Sequence, residues 1–328
     1  MPEEIPAVAS LNAGDWGQLA HLAEKQSIRG VIYRAFTHLP KDVHVPGEVV
    51  FGMMARAEEI SLGNRQKNAV SARLTARFED AGLTPRIMKG STVALFYPHP
   101  ELRESGDIDF FFPKGQVEAA CECLTEPYTA SDGSIHSRED GIDIDLHDSY
   151  FDLPERPKRL PAPGTPEATL LMLSAHILKH AVGTGVGLRQ LCDMAMACRG
   201  LVGQYDPADL WELFRRTRTL RWNRLLFSFL TQYLGLPETA TVVAGMKTSG
   251  GRVSTAPLLH IVQEGGHFGH YADTRQAALM KGGFRRKLHT LGRFLRRLPF
   301  SLRYAPRTTF STLWTLLRGN LHHPSFPD

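Results

Sequence analysis

The sequence predicts an α+β protein in which a mixed β-sheet is flanked by N-terminal helices and a C-terminal helical bundle. Three observations predict it. Apolar residues recur at helical spacing on both sides of the centre, from Trp16 to Ala81 and from Glu167 to Leu234. The stretch Ile142-Asp143-Ile144-Asp145-Leu146-His147 alternates strictly, as a strand with one buried face does. Between these lies a block, residues 86–112, of short apolar runs broken by glycine, proline and acids.

In chain order, Asp15 can cap a helix carrying Trp16, Leu19, Leu22 and Ala23, and Ile28, Val31, Ile32 and Phe36 continue the helical spacing. Pro40 and Pro46 punctuate a loop, after which Val49 to about Ala81 reads as one long helix that Gly82 ends as a C′ residue. Pro85 to Met88 reads as a strand, the residues after Gly90 as a short helix ending near Tyr97-Pro98, Ile108 to Phe112 as a strand, and Gln116 to Leu124 as a helix. Five prolines between Pro154 and Pro166 mark a crossing segment. Helices follow from Glu167 to about Gly200, interrupted at Gly183, Gly185 and Gly187, then from Asp206 and from Trp222 to Leu234. The expected division is 1–82 helical, 83–160 sheet core, 161–245 helical, and 246–328 a basic amphipathic region.

The formal net charge of +4 is unevenly spread, because no acid stands between Asp273 and Asp328. Apolar residues at 284, 288, 291, 294, 295 and 298 separated by Arg and Lys read as a basic amphipathic helix. Its expected partner is an anionic membrane surface or another protein, through residues 284–320; sequence-specific nucleic-acid reading is not indicated. Cys121, Cys123, Cys192 and Cys198 lack metal or disulfide spacing, and the N-terminus lacks a basic and apolar leader, so a cytoplasmic, at most membrane-peripheral, protein is expected.

The chemistry concentrates in the central block. Asp107 and Asp109 are two apart at the mouth of an apolar strand and so share a face. Asp143, Asp145 and His147 share the polar face of a later strand, and either aspartate can supply a third acid. Acids gathered around one pocket are unfavourable unless a cation joins them, and Mg²⁺ favours such hard oxygen ligands. Gly90-Ser91 stands at a strand-to-helix junction that suits a phosphate. Lys89 and Arg103 are candidates for contacts with a triphosphate, and His147 for orienting Asp145 or touching substrate. His176 and His180, four apart on one helical face, find no further ligand at zinc spacing.

This ordered set resembles the DNA-polymerase-β-type nucleotidyltransferase superfamily, whose pattern is Gly-Ser, a helix, Asp-hydrophobic-Asp and a third carboxylate. It is more closely similar to the uncharacterised nucleotidyltransferase family of bacteria. The matching residues are Lys89, Gly90, Tyr97, Pro98, Arg103, Gly106, Asp107, Asp109, Asp145-Leu146-His147, His176, His180 and Asp193, and the likeness spans most of residues 11–235. The spacing from Gly90-Ser91 to Asp107 is longer than in many polymerase-β-like enzymes. The resemblance selects Asp145 over Asp143, since it is Asp145 that precedes Leu146-His147.

The resemblance implies a polymerase-β-like core and a transfer of a nucleoside monophosphate from an NTP to an acceptor hydroxyl or phosphate, releasing pyrophosphate. Asp107, Asp109 and Asp145 would hold Mg²⁺ or Mn²⁺ and carry catalysis. Lys89, Gly90, Ser91 and Arg103 would bind the nucleotide. The alternative is a nucleotide-binding or membrane-peripheral module that keeps the fold without turnover.

Overall fold

The computed structural model describes residues 8, 10–129, 134–153, 157, 159–183, 185–238, 240–265, 296–307 and 309–310. The chain divides into two compact units, Met1–Tyr150 and Phe151–Asp328. Among the described residues no helix is long and apolar enough to cross a membrane.

The first unit begins with α1 (Ala13–Lys25) and α2 (Arg29–Phe36). The cap of α1 is Asn12 and not Asp15: the Asn12 side chain accepts the Asp15 N–H at 3.1 Å, while the Asp15 carboxylate accepts the Asn12 N–H at 3.0 Å. Asp15 is therefore the third-residue half of a capping box. Next comes the long α3 (Gly47–Asp80). It ends in a Schellman turn: Gly82 takes φ +76, its N–H donates to Glu79, and the Leu83 N–H donates to Phe78.

Five strands follow: β1 (Arg86–Met88), β2 (Ile108–Phe111), β3 (Tyr128–Thr129), β4 (Ile135–Glu139) and β5 (Ile142–His147). The short α4 (Gly90–Ala94) links β1 toward β2, and α5 (Val117–Glu122) follows β2. The sheet order is β1-β2-β5-β4-β3, with β2 and β5 parallel and the other pairs antiparallel, which makes the sheet mixed. Strands β3 and β4 are absent from the sequence expectation. Asp140-Gly141 forms the tight turn between β4 and β5, with φ +49 and +80 as a type I′ hairpin requires.

One sheet face is apolar. Ile108, Phe110, Phe112, Ile142, Ile144 and Leu146 pack with Val70, Leu74 and Phe78 of α3. Phe78 meets Phe110 and Phe112 edge to face at 5.2 and 5.0 Å, geometry that adds to burial of roughly 1.5–3 kcal/mol per ring. Residues 47–80, within the N-terminal helical region expected from sequence, thus wall the core of the sheet. Strand alternation turns Asp109 and Phe111 to the opposite face.

The second unit is helical: α6 (Pro166–Val182), α7 (Leu188–Gly200), α8 (Pro207–Arg216), α9 (Leu220–Tyr233), α10 (Thr241–Thr248) and α11 (Ala256–Gly265). Asp206 caps α8 by accepting the Ala208 N–H at 2.7 Å. Trp211, Phe214, Trp222 and Phe227 lie in its core. Most of the basic helix expected from 284 lies outside the described residues. Residues 296–304 are helical, and there Arg297 is buried and donates from Nη1 to the Gly183 carbonyl at 2.7 Å.

Candidate functional site

The polar face of the sheet in the first unit gathers the acids. In the parallel pair β2–β5, Asp109 stands opposite Asp145 and Phe111 opposite His147. One ligand atom from each of Asp109, Asp145 and His147 can be chosen so that all lie within 4.8 Å of one another. Asp107 lies two residues before Asp109, just ahead of β2. Asp143 is 73 % exposed and faces Arg138 at 3.7 Å; it stands outside this group.

Asp109 is buried, and burial alone would raise its pKa. His147 Nε2 at 2.7 Å and Lys89 Nζ at 2.5 Å from Oδ1 overcome that and hold the carboxyl far below the usual range. The hydrogen bond of His147 is thus made to Asp109 and not to Asp145. Asp107 goes the other way. The residue is exposed as a whole, but protein crowding strips water from its carboxyl, and Asp109 and Asp145 add negative charge, lifting its pKa to about 6.

Asp145 has a histidine of its own. His136 Nδ1 lies 2.5 Å from Asp145 Oδ1, and the opposite ring nitrogen lies 2.6 Å from Ser134 Oγ. The imidazole also stacks on Tyr128 at 5.5 Å. Sequence reasoning missed His136. The Asp140-Gly141 turn could have found it, because a two-residue hairpin loop pairs Glu139 with Ile142 and so places His136 opposite Asp145.

Lys89 and Gly90 sit at the β1–α4 junction. Lys89 takes φ +56 and ψ −120, which is strained for a residue with a Cβ and costs about 1–3 kcal/mol. Its Nζ also approaches His147 Nε2 at 3.3 Å. Arg103 is buried and its Nη1 lies against Gly90, where a Cβ would stand 3.3 Å away. Ser91 follows in the first turn of α4, half-buried. Lys89, Asp109 and His147 are in mutual contact, and Arg103 and Gly90 meet beside Lys89.

The loop carrying Arg103 is clamped by helices. Asn64 on α3 donates from Nδ2 to the carbonyls of Glu101 and Arg103, both at 2.8 Å, and Lys67 donates to the Ser105 carbonyl. From α2, the Arg29 N–H donates to Glu104 Oε1 at 2.7 Å and its guanidinium pairs with Oε2 at 3.0 Å. Gly30 lets α2 approach this loop, since a Cβ there would fall 2.1 Å from the Leu102 carbonyl oxygen. These supports carry no motif of their own in the sequence.

Two carboxylates and an imidazole within reach of one another, with a third carboxyl beside them, form a donor set that fits a divalent cation. His176 and His180 are residues of α6. In the second unit, His176 Nδ1 lies 2.9 Å from Asp152 Oδ2, and its Nε2 lies 3.2 Å from His180 Nε2.

A family model described as an uncharacterised nucleotidyltransferase matches residues 12–235, more than half of the chain. No curated protein and no solved structure matches the chain.

Proposed function

This chain belongs to the uncharacterised nucleotidyltransferase family, and from that premise we propose that it moves a nucleoside monophosphate from an NTP to an acceptor hydroxyl or phosphate. The observation that carries the reading is the placement of Asp109 opposite Asp145 on adjacent parallel strands, with Asp107 two residues away and Lys89 against Asp109. Asp107, Asp109 and Asp145 would hold Mg²⁺ or Mn²⁺; bound there, the cation would neutralise phosphate charge and favour the acceptor oxygen as a nucleophile.

In this reading the Asp145 carboxylate takes the proton of the acceptor, and His136 fixes that carboxylate in place. The acceptor oxygen forms a bond to the α-phosphorus as the bond to the bridging oxygen breaks, and pyrophosphate leaves. Lys89 and Arg103 offset the charge of the leaving phosphates, while Gly90 and Ser91 bring backbone N–H groups to the triphosphate. Lys89 would exchange Asp109 for phosphate once a cation takes over the carboxylate.

The test is incubation with NTPs labelled at the α-phosphate, Mg²⁺ or Mn²⁺ and cell extract. A labelled acceptor is expected with the wild type and none with Asp107→Ala. Equal labelling by that variant would overturn the assignment. Saturable metal-dependent NTP binding with no labelled product would instead favour a binding module that keeps the fold.

A further inference from the structure

The second unit contains a cavity of about 150 Å³ whose lining residues all belong to that unit. Arg216, Arg218 and Arg307 line it, together with Thr217, Thr219 and Tyr304. Asp152 is the one carboxylate among the described lining residues, and it is already bound, with Lys179 Nζ at 2.9 Å and His176 Nδ1 at 2.9 Å. Three arginines therefore line a space whose one acid among the described residues has cations of its own. Among the described residues, Arg216 and Arg218 make no ion pair.

The backbone points the same way. Arg218 occupies the C′ position that ends α8: its N–H donates to the Arg215 carbonyl, and the Thr219 N–H donates to the Phe214 carbonyl. This Schellman geometry gives Arg218 a φ of +59, a conformation that glycine takes freely and arginine does not. A glycine would serve the turn better. What arginine adds is a guanidinium at the cavity wall.

We propose that this cavity binds a phosphoryl dianion, either as inorganic phosphate or as the terminal group of a phosphorylated small molecule. Guanidinium forks match phosphate oxygens in geometry and charge. The inference does not depend on nucleotidyl transfer.

The full chain, free of metal, would be titrated calorimetrically with inorganic phosphate and with glycerol phosphate. Saturable binding is expected, weakened about tenfold or more by Arg216→Gln and by Arg218→Gly. The second variant separates binding from folding, because it is expected to raise the melting temperature without ligand while losing the phosphate-induced rise. Tighter binding of glycerol phosphate than of phosphate identifies the site as an anchor for a phosphorylated molecule; the reverse order identifies a site for the free anion. Absence of saturable binding overturns the proposal. So does equal binding by both variants, which would mean an adventitious ion only, or loss of binding in Lys89→Ala alone, which would assign the anion to the first unit.

Discussion

Asp109 and Asp145 stand side by side across the parallel pair β2–β5, yet each is held by a different histidine: His147 at 2.7 Å from Asp109 and His136 at 2.5 Å from Asp145. Lys89 adds an ammonium against Asp109, with Nζ 2.5 Å from Oδ1. The buried acid thus has its countercharge built in, and the half-buried one has a positioning partner.

Lys89→Met tests the first half of that arrangement. Removing the amine leaves a buried carboxylate short of a partner, which typically costs about 3–5 kcal/mol. Chemical denaturation without metal should show a loss of that order, and Mn²⁺ should recover part of it because a cation can take the vacated place beside Asp109. Adding Asp109→Asn to Lys89→Met should also recover stability. If neither does, the lysine stabilises the fold by other means.

His136→Ala tests the second half. Groups that orient a metal-binding side chain typically contribute about 10–100-fold in affinity. Calorimetry with Mn²⁺ should show a weakening in that range, with the melting temperature little changed, since His136 is a quarter exposed. Unchanged affinity would reduce His136 to a ring stacked on Tyr128.

Gly30→Ala should disturb the site from a distance. A methyl 2.1 Å from the Leu102 carbonyl oxygen cannot be accommodated without moving α2 or the loop that carries Arg103. Overpacking of this kind costs about 1–3 kcal/mol. The expected result is a lower melting temperature together with weaker metal-dependent NTP binding. A variant that melts like the wild type would show that the loop yields freely.

These cases show what was legible in the sequence. The acid block could be read because strand alternation alone places Asp107 with Asp109, and Asp143 with Asp145 and His147. The long helix was equally clear, since its apolar spacing runs unbroken to a glycine that takes the left-handed cap. Which histidine meets which aspartate depends on strand order: β5 lies between β2 and β4, so His147 reaches across to Asp109 while His136 takes Asp145 from the other side. Strand order is set by long-range packing, which local periodicity does not encode. The β4–β5 register was nonetheless available from Asp140-Gly141 and went unread. Asn64, Lys67 and Gly30 left no local signal, because their partners are backbone groups of a distant loop.

The apolar face of the sheet depends on three rings. Phe110→Ala would remove one that is wholly buried and meets Phe78 edge to face. A loss of about 3–5 kcal/mol is expected. Denaturant unfolding of Phe111→Ala offers a comparison: that ring is on the opposite face, partly exposed and packed on Tyr150 at 5.4 Å, so its loss should be smaller. Equal losses would contradict the alternation.

The pH dependence of the second unit should carry the signature of Asp152. Burial acts to raise its pKa, but the hydrogen bond with His176 and the charges of Lys179 and His176 prevail and hold it far below the usual carboxylate range. A carboxyl whose pKa is depressed by folding stabilises the fold above its unfolded pKa, and that contribution is lost as pH falls toward the folded value. Asp152→Asn should therefore cost about 1–3 kcal/mol near pH 7, in the range of hydrogen bonds to charged groups. The gap from wild type should narrow progressively below about pH 4, where the unfolded chain binds its proton and the native carboxylate does not. Urea unfolding of both proteins between pH 7 and pH 3 measures it. A gap constant across that range would mean that Asp152 contributes shape and hydrogen bonding but no net charge pairing.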